Sequence, residues 1–196
     1  MGQISFPAFL ITFLFLGFCA PTKSSYFGEE NWVAVTSDGK EIKFSQLEKE
    51  QLALNVYAPN CAPCQREVPT LNFLSKEIET KFPTKAIYMV VDPYQIVPDL
   101  PADVSWGEAF AKAKKVMEKE KSDYQIQIPI LFMKHPFTIV PNSLVSGTPE
   151  TLLFETKPLR LYYNFIGSIS EEVKAEDIVK DLKVAFFRHQ FGMDGL

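Results

Sequence analysis

The stretch that decides the fold of this chain is LALNVYAPNCAPCQREVPTL, residues 52–71. It opens with an apolar run, residues 52–58, of the kind found in strands that are buried on both faces. Cys61 and Cys64 follow this run, and a helical pattern begins behind them. A cysteine at the N-terminus of a helix is stabilised as a thiolate by unpaired backbone N–H groups and by the helix dipole. The placement predicts that Cys61 ionises near neutral pH and that the two cysteines form a redox couple.

Two other roles are open for the cysteine pair. A structural disulfide that closes so short a loop would remove little entropy from the unfolded chain, about 2 kcal/mol against about 4 to 5 kcal/mol for a long loop. A zinc site needs about four ligands, and the chain adds only Cys19, His135 and His189 to the pair. We therefore expect no metal, and no cofactor beyond the redox-active disulfide of Cys61 and Cys64.

Length and composition favour one domain. The 196 residues are 46 % apolar and 22 % charged, which suits a single compact domain with a short appendage. The formal net charge is −4 and the sequence has no basic cluster or arginine-rich stripe, so no nucleic-acid partner is expected. The lysines of residues 112–121 are interleaved with Glu118 and Glu120, which favours a solvated helix face.

The N-terminal segment has the composition of an export signal. Residues 1–18 carry no charged side chain, and Phe, Leu and Ile dominate residues 4–18. This apolar run is shorter than the ~20 residues that a membrane-spanning helix needs, so cleavage is favoured over a permanent anchor. The run ends in LGFC, residues 16–19, which is similar to a bacterial lipoprotein processing site except for the large Phe18. Lipidation of Cys19 is expected, with a soluble exported form and an uncleaved anchor as alternatives.

These boundaries divide the chain into three parts. Residues 1–19 are the signal peptide or lipoprotein signal, residues 20–28 form a polar tether, and residues 29–190 form the domain. The domain is expected outside the cytoplasm, on the periplasmic side of a bacterial membrane and tethered to it by a lipid. A CxxC pair in such a compartment tends to oxidise unless a dedicated donor keeps it reduced.

The remaining patterns predict alternating strands and helices. A hairpin is expected over residues 32–44, and a helix with apolar spacing joins the strands of residues 52–58 and 86–91 in a right-handed parallel unit. Five further elements are predicted: a loop over 92–103, a helix with a capping box from Ser105, a strand over 125–132, an antiparallel pair over 151–154 and 159–166, and a closing helix over 176–187. The closing helix is expected to turn four apolar side chains inward: Ile178, Leu182, Ala185 and Phe186.

Residues 54–71 resemble the active-site segment of the TlpA/ResA-type exported thioredoxin-like reductases. Asp38-Gly39-Lys40 resembles the N-terminal hairpin of that family, and Gly147-Thr148-Pro149 resembles the cis-proline motif of the thioredoxin fold. The resemblance covers residues 29–187. It implies an α/β thioredoxin fold, in which helices flank a central mixed β-sheet with an N-terminal β-hairpin extension. It also implies a thiol-disulfide oxidoreductase that exchanges disulfides with protein substrates, as a reductant fed by a membrane dithiol donor.

Roles for three residues of the matching segment follow from the resemblance. Cys61 would be the exposed nucleophile, and Cys64 would be the thiol that resolves the mixed disulfide. Glu67 matches a glutamate that tunes proton transfers of the cysteines, which a half-buried carboxylate could do. The alternative for Glu67 is an ordinary acidic residue in the first turns of a helix. Asn55 stands where cytoplasmic thioredoxins keep a buried aspartate, which leaves Glu67 as the nearer group for proton handling.

Four other residues are expected to bind substrate. Pro149 would place the backbone of Thr148 opposite the cysteines, where it can pair with an incoming chain by β-augmentation. Ala62 and Pro63, which lie between the cysteines, would form the same surface. The alternative for Pro149 is a plain trans turn after Gly147.

The sequence departs from the family pattern before the first cysteine and before the expected cis-proline. Asn60 stands where the family usually has tryptophan, so a more polar rim is expected. Residues 133–146 replace the short helix that usually precedes the cis-proline. His135 lies in that segment, but the copper chaperones of this fold separate their two cysteines by three residues, so a copper site is not expected.

Two function classes outside the thiol reductases stay open as alternatives. A peroxidase of the peroxiredoxin type needs a threonine three residues before its reactive cysteine, where Ala58 stands. A non-catalytic surface or binding lipoprotein that keeps the fold would bind its partner independently of Cys61.

Overall fold

The computed structural model describes residues 32–194. A seven-stranded sheet forms its centre, with the hydrogen-bonded order β2-β1-β5-β4-β3-β6-β7. The strands are β1 (Val33–Thr36), β2 (Glu41–Lys43), β3 (Gln51–Val56), β4 (Lys85–Val91), β5 (Ile130–Met133), β6 (Glu150–Thr156) and β7 (Leu159–Ile166). The helices are α1 (Ala62–Lys81), α2 (Pro93–Ile96), α3 (Trp106–Asp123), α4 (Ala175–Ile178) and α5 (Leu182–Gln190).

The sheet is mixed, as the sequence predicts. Strands β3, β4 and β5 are parallel, whereas β6 pairs antiparallel with β3 and β7, and β1 pairs antiparallel with β2 and β5. The connections β3-α1-β4 and β4-α3-β5 advance in the same direction along the sheet. Right-handed crossovers therefore place α1 and α3 on the same face.

Each face of the sheet has its own apolar core, because side chains alternate along the strands. On the helical face, residues such as Ala53, Leu71, Met117 and Phe187 form one buried cluster. The second cluster contains Trp32, Phe44, Leu54, Phe137 and Val145. The second face is thus covered by the 3-10 turn at Phe44–Gln46 and by the segment 134–149, which contains no helix.

Several local predictions are confirmed. The hairpin turns between Thr36 and Lys40, where Gly39 adopts a φ of 90° that favours glycine. Helix α1, Ala62–Lys81, forms where the apolar spacing predicts a helix, and it includes Pro69. Ser105 caps α3 in the predicted capping box with Glu108.

The strand predicted over residues 125–132 is too long. Gln125 adopts a φ of 54°, which turns the chain away from an extended course. The N–H groups of Gln127 and Ile128 then donate to the side-chain oxygen of Asn72 on α1, at 2.8 and 3.3 Å. These two N–H groups bond to α1 and not to a neighbouring strand, so they do not take part in the sheet. Only the last residues of the predicted segment belong to the sheet, as part of β5.

The loop predicted over residues 92–103 contains one helical turn, α2. The carboxylate of Asp92 accepts a hydrogen bond from the N–H of Tyr94 at 3.0 Å and caps this turn. Pro93 takes the first helical position, where its missing N–H costs nothing.

The single closing helix predicted over residues 176–187 is wrong. Asp181 breaks it, because its side chain caps a new helix, α5, by accepting two backbone N–H bonds. Ile178 is buried as predicted, but three residues expected to face inward are exposed: Leu182, Ala185 and Phe186. The break shifts the helical phase, so that Val184 and Phe187 are buried instead.

Neighbouring phenylalanines in α5 test this phase. Phe187 is fully buried and Phe186 is 43 % exposed. We expect Phe187→Ala to lower the free energy of unfolding by about 3–5 kcal/mol, as for other buried phenylalanines. Phe186→Ala, the matched control, should lower it by about 1 kcal/mol or less, because the ring keeps much of its surface in water. Urea unfolding of the oxidised proteins measures both values, and an equal or larger loss for Phe186→Ala would contradict the observed phase.

Candidate redox-active site

Cys61 and Cys64 form a disulfide at the start of α1. Cys61 is the N-cap of the helix, and its sulfur accepts a hydrogen bond from the N–H of Cys64 at 3.2 Å. Cys61 keeps 9 % of its surface exposed, whereas Cys64 is completely buried. A reagent from solution therefore meets Cys61 first, at the positive end of a 20-residue helix.

The carboxyl end of β3 fixes the position of the cysteines. The N–H of Tyr57 donates to Val90 in β4 at 3.0 Å, and the N–H of Cys61 donates to Ala58 at 3.1 Å. The hydroxyl of Tyr57 donates to the carboxylate of Glu120 on α3 at 2.5 Å. Burial and this carboxylate raise the pKa of Tyr57 far above its ordinary value, so Tyr57 stays a hydrogen-bond donor. The turn that carries Cys61 is thus attached to both β4 and α3.

Glu67 lies one helical turn after Cys64, on the same face of α1, and is completely buried. Its carboxylate accepts hydrogen bonds from the N–H of Ile169 at 2.6 Å and from the side-chain amide of Asn55 at 3.1 Å. Burial raises the pKa of Glu67 to about 7, because the loss of hydration outweighs these two hydrogen bonds. The sequence predicted a half-buried carboxylate, and the structure buries it further.

Asn55 connects this carboxyl group to the neighbouring strand. Its amide nitrogen also donates to the hydroxyl of Thr151 on β6, at 2.9 Å, and both groups are buried. Sequence reasoning considered Asn55 but missed Thr151 and Ile169. Ile169 contributes only its backbone N–H, so its side chain gives no signal of this contact.

The Thr148–Pro149 peptide bond is cis, as the resemblance implies, and is not a trans turn. Glu150, the next residue, pairs with Val56 at the carboxyl end of β3. Thr148 and Pro149 therefore precede β6 at the same end of the sheet from which the cysteine turn leaves β3.

The loop after β7 joins the two expected substrate-binding segments. The N–H of Gly167 donates to the carbonyl oxygen of Pro149 at 2.9 Å. The hydroxyl of Ser168 lies 3.5 Å from the carbonyl oxygen of Pro63 in the first turn of α1. Ala62, in the same turn, is exposed, and Thr148 is half-buried.

The other residues that the sequence singled out lie apart from this cluster. His135 packs its ring against Tyr94, with centroids 5.5 Å apart. His189 forms a contact of 2.5 Å with Asp194 at the end of α5. Within residues 32–194, no group of three or more His, Cys, Asp or Glu side chains is arranged to hold a metal ion.

The signal, the tether and Cys19 belong to residues 1–31, which lie outside the described part of the chain. Of the helices between residues 32 and 194, none has both the length and the apolar surface needed to cross a membrane.

No protein-family model matches the chain. Two curated relatives are the thiol-disulfide oxidoreductases ResA of Bacillus thuringiensis and Bacillus anthracis. Each is 29 % identical over 79 residues, which cover 39 % of this chain and 43 % of the relative. The match thus spans less than half the length of these relatives.

Two solved structures share the fold. A candidate thiol:disulfide interchange protein DsbE of Chlorobium tepidum has a TM-score of 0.52 and 17 % identity, over 85 % of this chain and 94 % of its own. The exposed lipoprotein thioredoxin of Streptococcus pneumoniae has a TM-score of 0.51 and 14 % identity, over 78 % of this chain and 100 % of its own. The curated relatives are thiol-disulfide oxidoreductases over the matched 79 residues, and the similarity to the two solved structures is one of fold. The predicted thioredoxin fold is confirmed.

The buried Glu67 should make the stability of the folded protein depend on pH. Its pKa is about 7 in the folded protein and 4.5 ordinarily, so the folded state holds the proton more tightly. The stabilisation from this group is complete below pH 4.5 and is lost as the pH rises through about 7. We expect wild type to lose roughly 3 kcal/mol more than Glu67→Gln over this interval.

Urea unfolding of oxidised protein at pH 4.5 and 7.5 measures this difference. The matched control is Glu41→Gln, because Glu41 is an exposed carboxylate bonded to Lys134, its pKa is lowered, and its charge does not act on Glu67. Wild type should not lose stability relative to this control variant as the pH rises. If wild type and Glu67→Gln instead change in parallel, the raised pKa of Glu67 is refuted.

Proposed function

We propose that this protein exchanges disulfides with protein substrates through Cys61 and Cys64. The observation that carries the proposal is the disulfide at the N-terminus of α1, in which Cys61 keeps 9 % of its surface exposed and Cys64 is completely buried. Such a position lowers the pKa of a thiol and makes its thiolate a good leaving group as well as a nucleophile.

The proposed reduction of a substrate has two exchange steps. The Cys61 thiolate attacks one sulfur of a substrate disulfide, a mixed disulfide forms, and the other substrate sulfur leaves as a thiolate. Cys64 then loses its proton and attacks the sulfur of Cys61. The second substrate thiolate leaves, and the Cys61–Cys64 disulfide closes. Two electrons pass from the protein to the substrate, and a donor dithiol returns the pair to the reduced state.

Glu67 is proposed as the group that takes the proton from Cys64. It follows Cys64 by one turn on the same face of α1, and both residues are buried away from bulk solvent. A carboxyl group whose pKa is near 7 exchanges protons efficiently at neutral pH. The buried thiol and the buried carboxyl would then share one proton during the cycle.

The substrate is proposed to lie across the turn of Ala62 and Pro63 and along Thr148 and Pro149. The loop after β7 contacts both Pro63 and Pro149, which supports one continuous surface. The backbone of Thr148 would pair with the substrate as an added strand and hold its disulfide in line with Cys61.

The cellular setting is also a proposal. We infer an exported protein on the periplasmic side, lipidated at Cys19 and supplied with electrons by a membrane dithiol donor, so that it acts as a reductant. Support comes from the uncharged apolar segment of residues 1–18 and from a structural neighbour that is an exposed lipoprotein.

Replacing the resolving cysteine tests the mechanism. Cys64→Ser leaves Cys61 to attack but removes the thiol that releases the substrate, so a mixed disulfide should accumulate. Incubation with a denatured, disulfide-bonded protein such as oxidised insulin should give a covalent complex on a non-reducing gel. Dithiothreitol should reduce the mixed disulfide and separate the two proteins. Cys61→Ser is the matched control and should trap far less. Equal amounts with both variants, or no complex with Cys64→Ser, would contradict the assigned roles and favour a binding protein.

A further inference from the structure

Glu150 is a buried carboxyl residue that the exchange chemistry does not use. It is the first residue of β6, directly after Pro149, and only 1 % of its surface is exposed. Its side chain accepts hydrogen bonds from the backbone N–H of Ser146 at 3.0 Å, from the hydroxyl of Ser146, and from the amide of Asn164 at 3.0 Å. Burying a carboxyl group costs free energy, and three donors offset that cost here.

These bonds close a ring around Gly147, Thr148 and Pro149. The backbone of Glu150 is fixed in the sheet by its pairing with Val56 on one side and Ile166 on the other. Its side chain reaches back four residues and fixes Ser146, so one residue clamps both ends of the three-residue segment.

The clamp also secures the unusual segment that covers the second face of the sheet. Residues 134–146 contain no helix, so few of their backbone groups bond within the segment. Phe137 and Val145 anchor it by burial. The amide of Asn164, which donates to Glu150, lies 3.4 Å from the carbonyl oxygen of Leu144 and ties the same end of the segment to β7.

We propose that Glu150 is a positioning residue that holds the Gly147–Pro149 segment ready to receive a protein substrate. This inference rests on the proposed function, because it assumes that Thr148 and Pro149 bind the substrate chain. Without the clamp, the segment must be ordered at the moment of binding, and that ordering weakens the complex. The chemistry at Cys61 and Cys64 does not involve Glu150 and should be unaffected.

The test separates binding from chemistry. Turnover with disulfide-bonded insulin, in which an excess of dithiothreitol re-reduces the Cys61–Cys64 pair and the uncatalysed rate is subtracted, gives kcat and KM. The oxidised pair is assayed separately for its rate of reduction by dithiothreitol and for its redox potential. We expect Glu150→Ala to raise KM about tenfold. Its kcat and its rate with dithiothreitol should stay within about twofold of wild type, and its redox potential within about 10 mV.

Two variants serve as controls. Glu150→Gln keeps an acceptor for Ser146. The side-chain oxygen of Asn164 is buried without a hydrogen-bond partner, and rotation of the Asn164 amide lets this oxygen accept a hydrogen bond from the new amide. This variant should restore KM to within about threefold of wild type. Glu155→Ala removes another β6 glutamate, one that bonds to Arg160 on the surface, and should leave KM unchanged.

Two results overturn the inference while the proposed function stands. One is an unchanged KM in Glu150→Ala, and the other is a dithiothreitol rate that falls by the same factor as KM rises. If Glu150→Ala does not fold, Ser146→Ala tests the clamp instead, because it removes only the hydroxyl that donates to Glu150. A KM raised about threefold supports the clamp. An unchanged KM refutes it. A wild-type protein that reacts with dithiothreitol but does not reduce oxidised insulin overturns the proposed function, and this inference with it.

Discussion

Everything at this site depends on how the turn between β3 and α1 is held. Because β3 is buried on both faces and paired on both edges, its carboxyl end has little freedom, and the bonds of Tyr57 to β4 and α3 extend that rigidity into the turn. Cys61 therefore becomes the N-cap of α1, where unpaired N–H groups and the helix dipole stabilise negative charge on sulfur. The same geometry buries Cys64, so the two sulfurs differ in access although they belong to one short loop.

Two buried carboxyl groups flank this turn from opposite faces of the sheet. Glu67 sits in the helical core and reaches β3 and the loop after β7, with Asn55 relaying the contact to Thr151 on β6. Glu150, the neighbour of Thr151, turns to the other face, because side chains alternate along a strand. Both groups cost desolvation energy. In the proposed mechanism that cost supports function: Glu67 handles a proton, and Glu150 shapes the surface that receives the substrate.

Local patterns predicted the parts of the fold that local forces determine. The cysteine placement, the hairpin turn and the capping box of Ser105 all depend on residues within a few positions of one another. The failures arise where a distant or competing partner decides. The N–H of Gln127 bonds to Asn72 on α1 and not to a strand. Asp181 caps a new helix whose buried face differs from the predicted one. Glu67 accepts a hydrogen bond from the N–H of Ile169, which lies 102 residues further along the chain. No pattern in the sequence marks such a backbone partner, so the depth of burial of Glu67 could not be predicted.

The redox equilibrium of the Cys61/Cys64 pair tests the central claim most directly. The protein is equilibrated in graded dithiol–disulfide buffers at pH 7, and the free thiols are counted by a thiol-specific gel shift. We expect a reversible two-electron titration with a midpoint near or below about −220 mV, as for a reductant. A midpoint near about −120 mV would contradict the reductant direction. A pair that does not titrate reversibly would contradict the redox assignment itself.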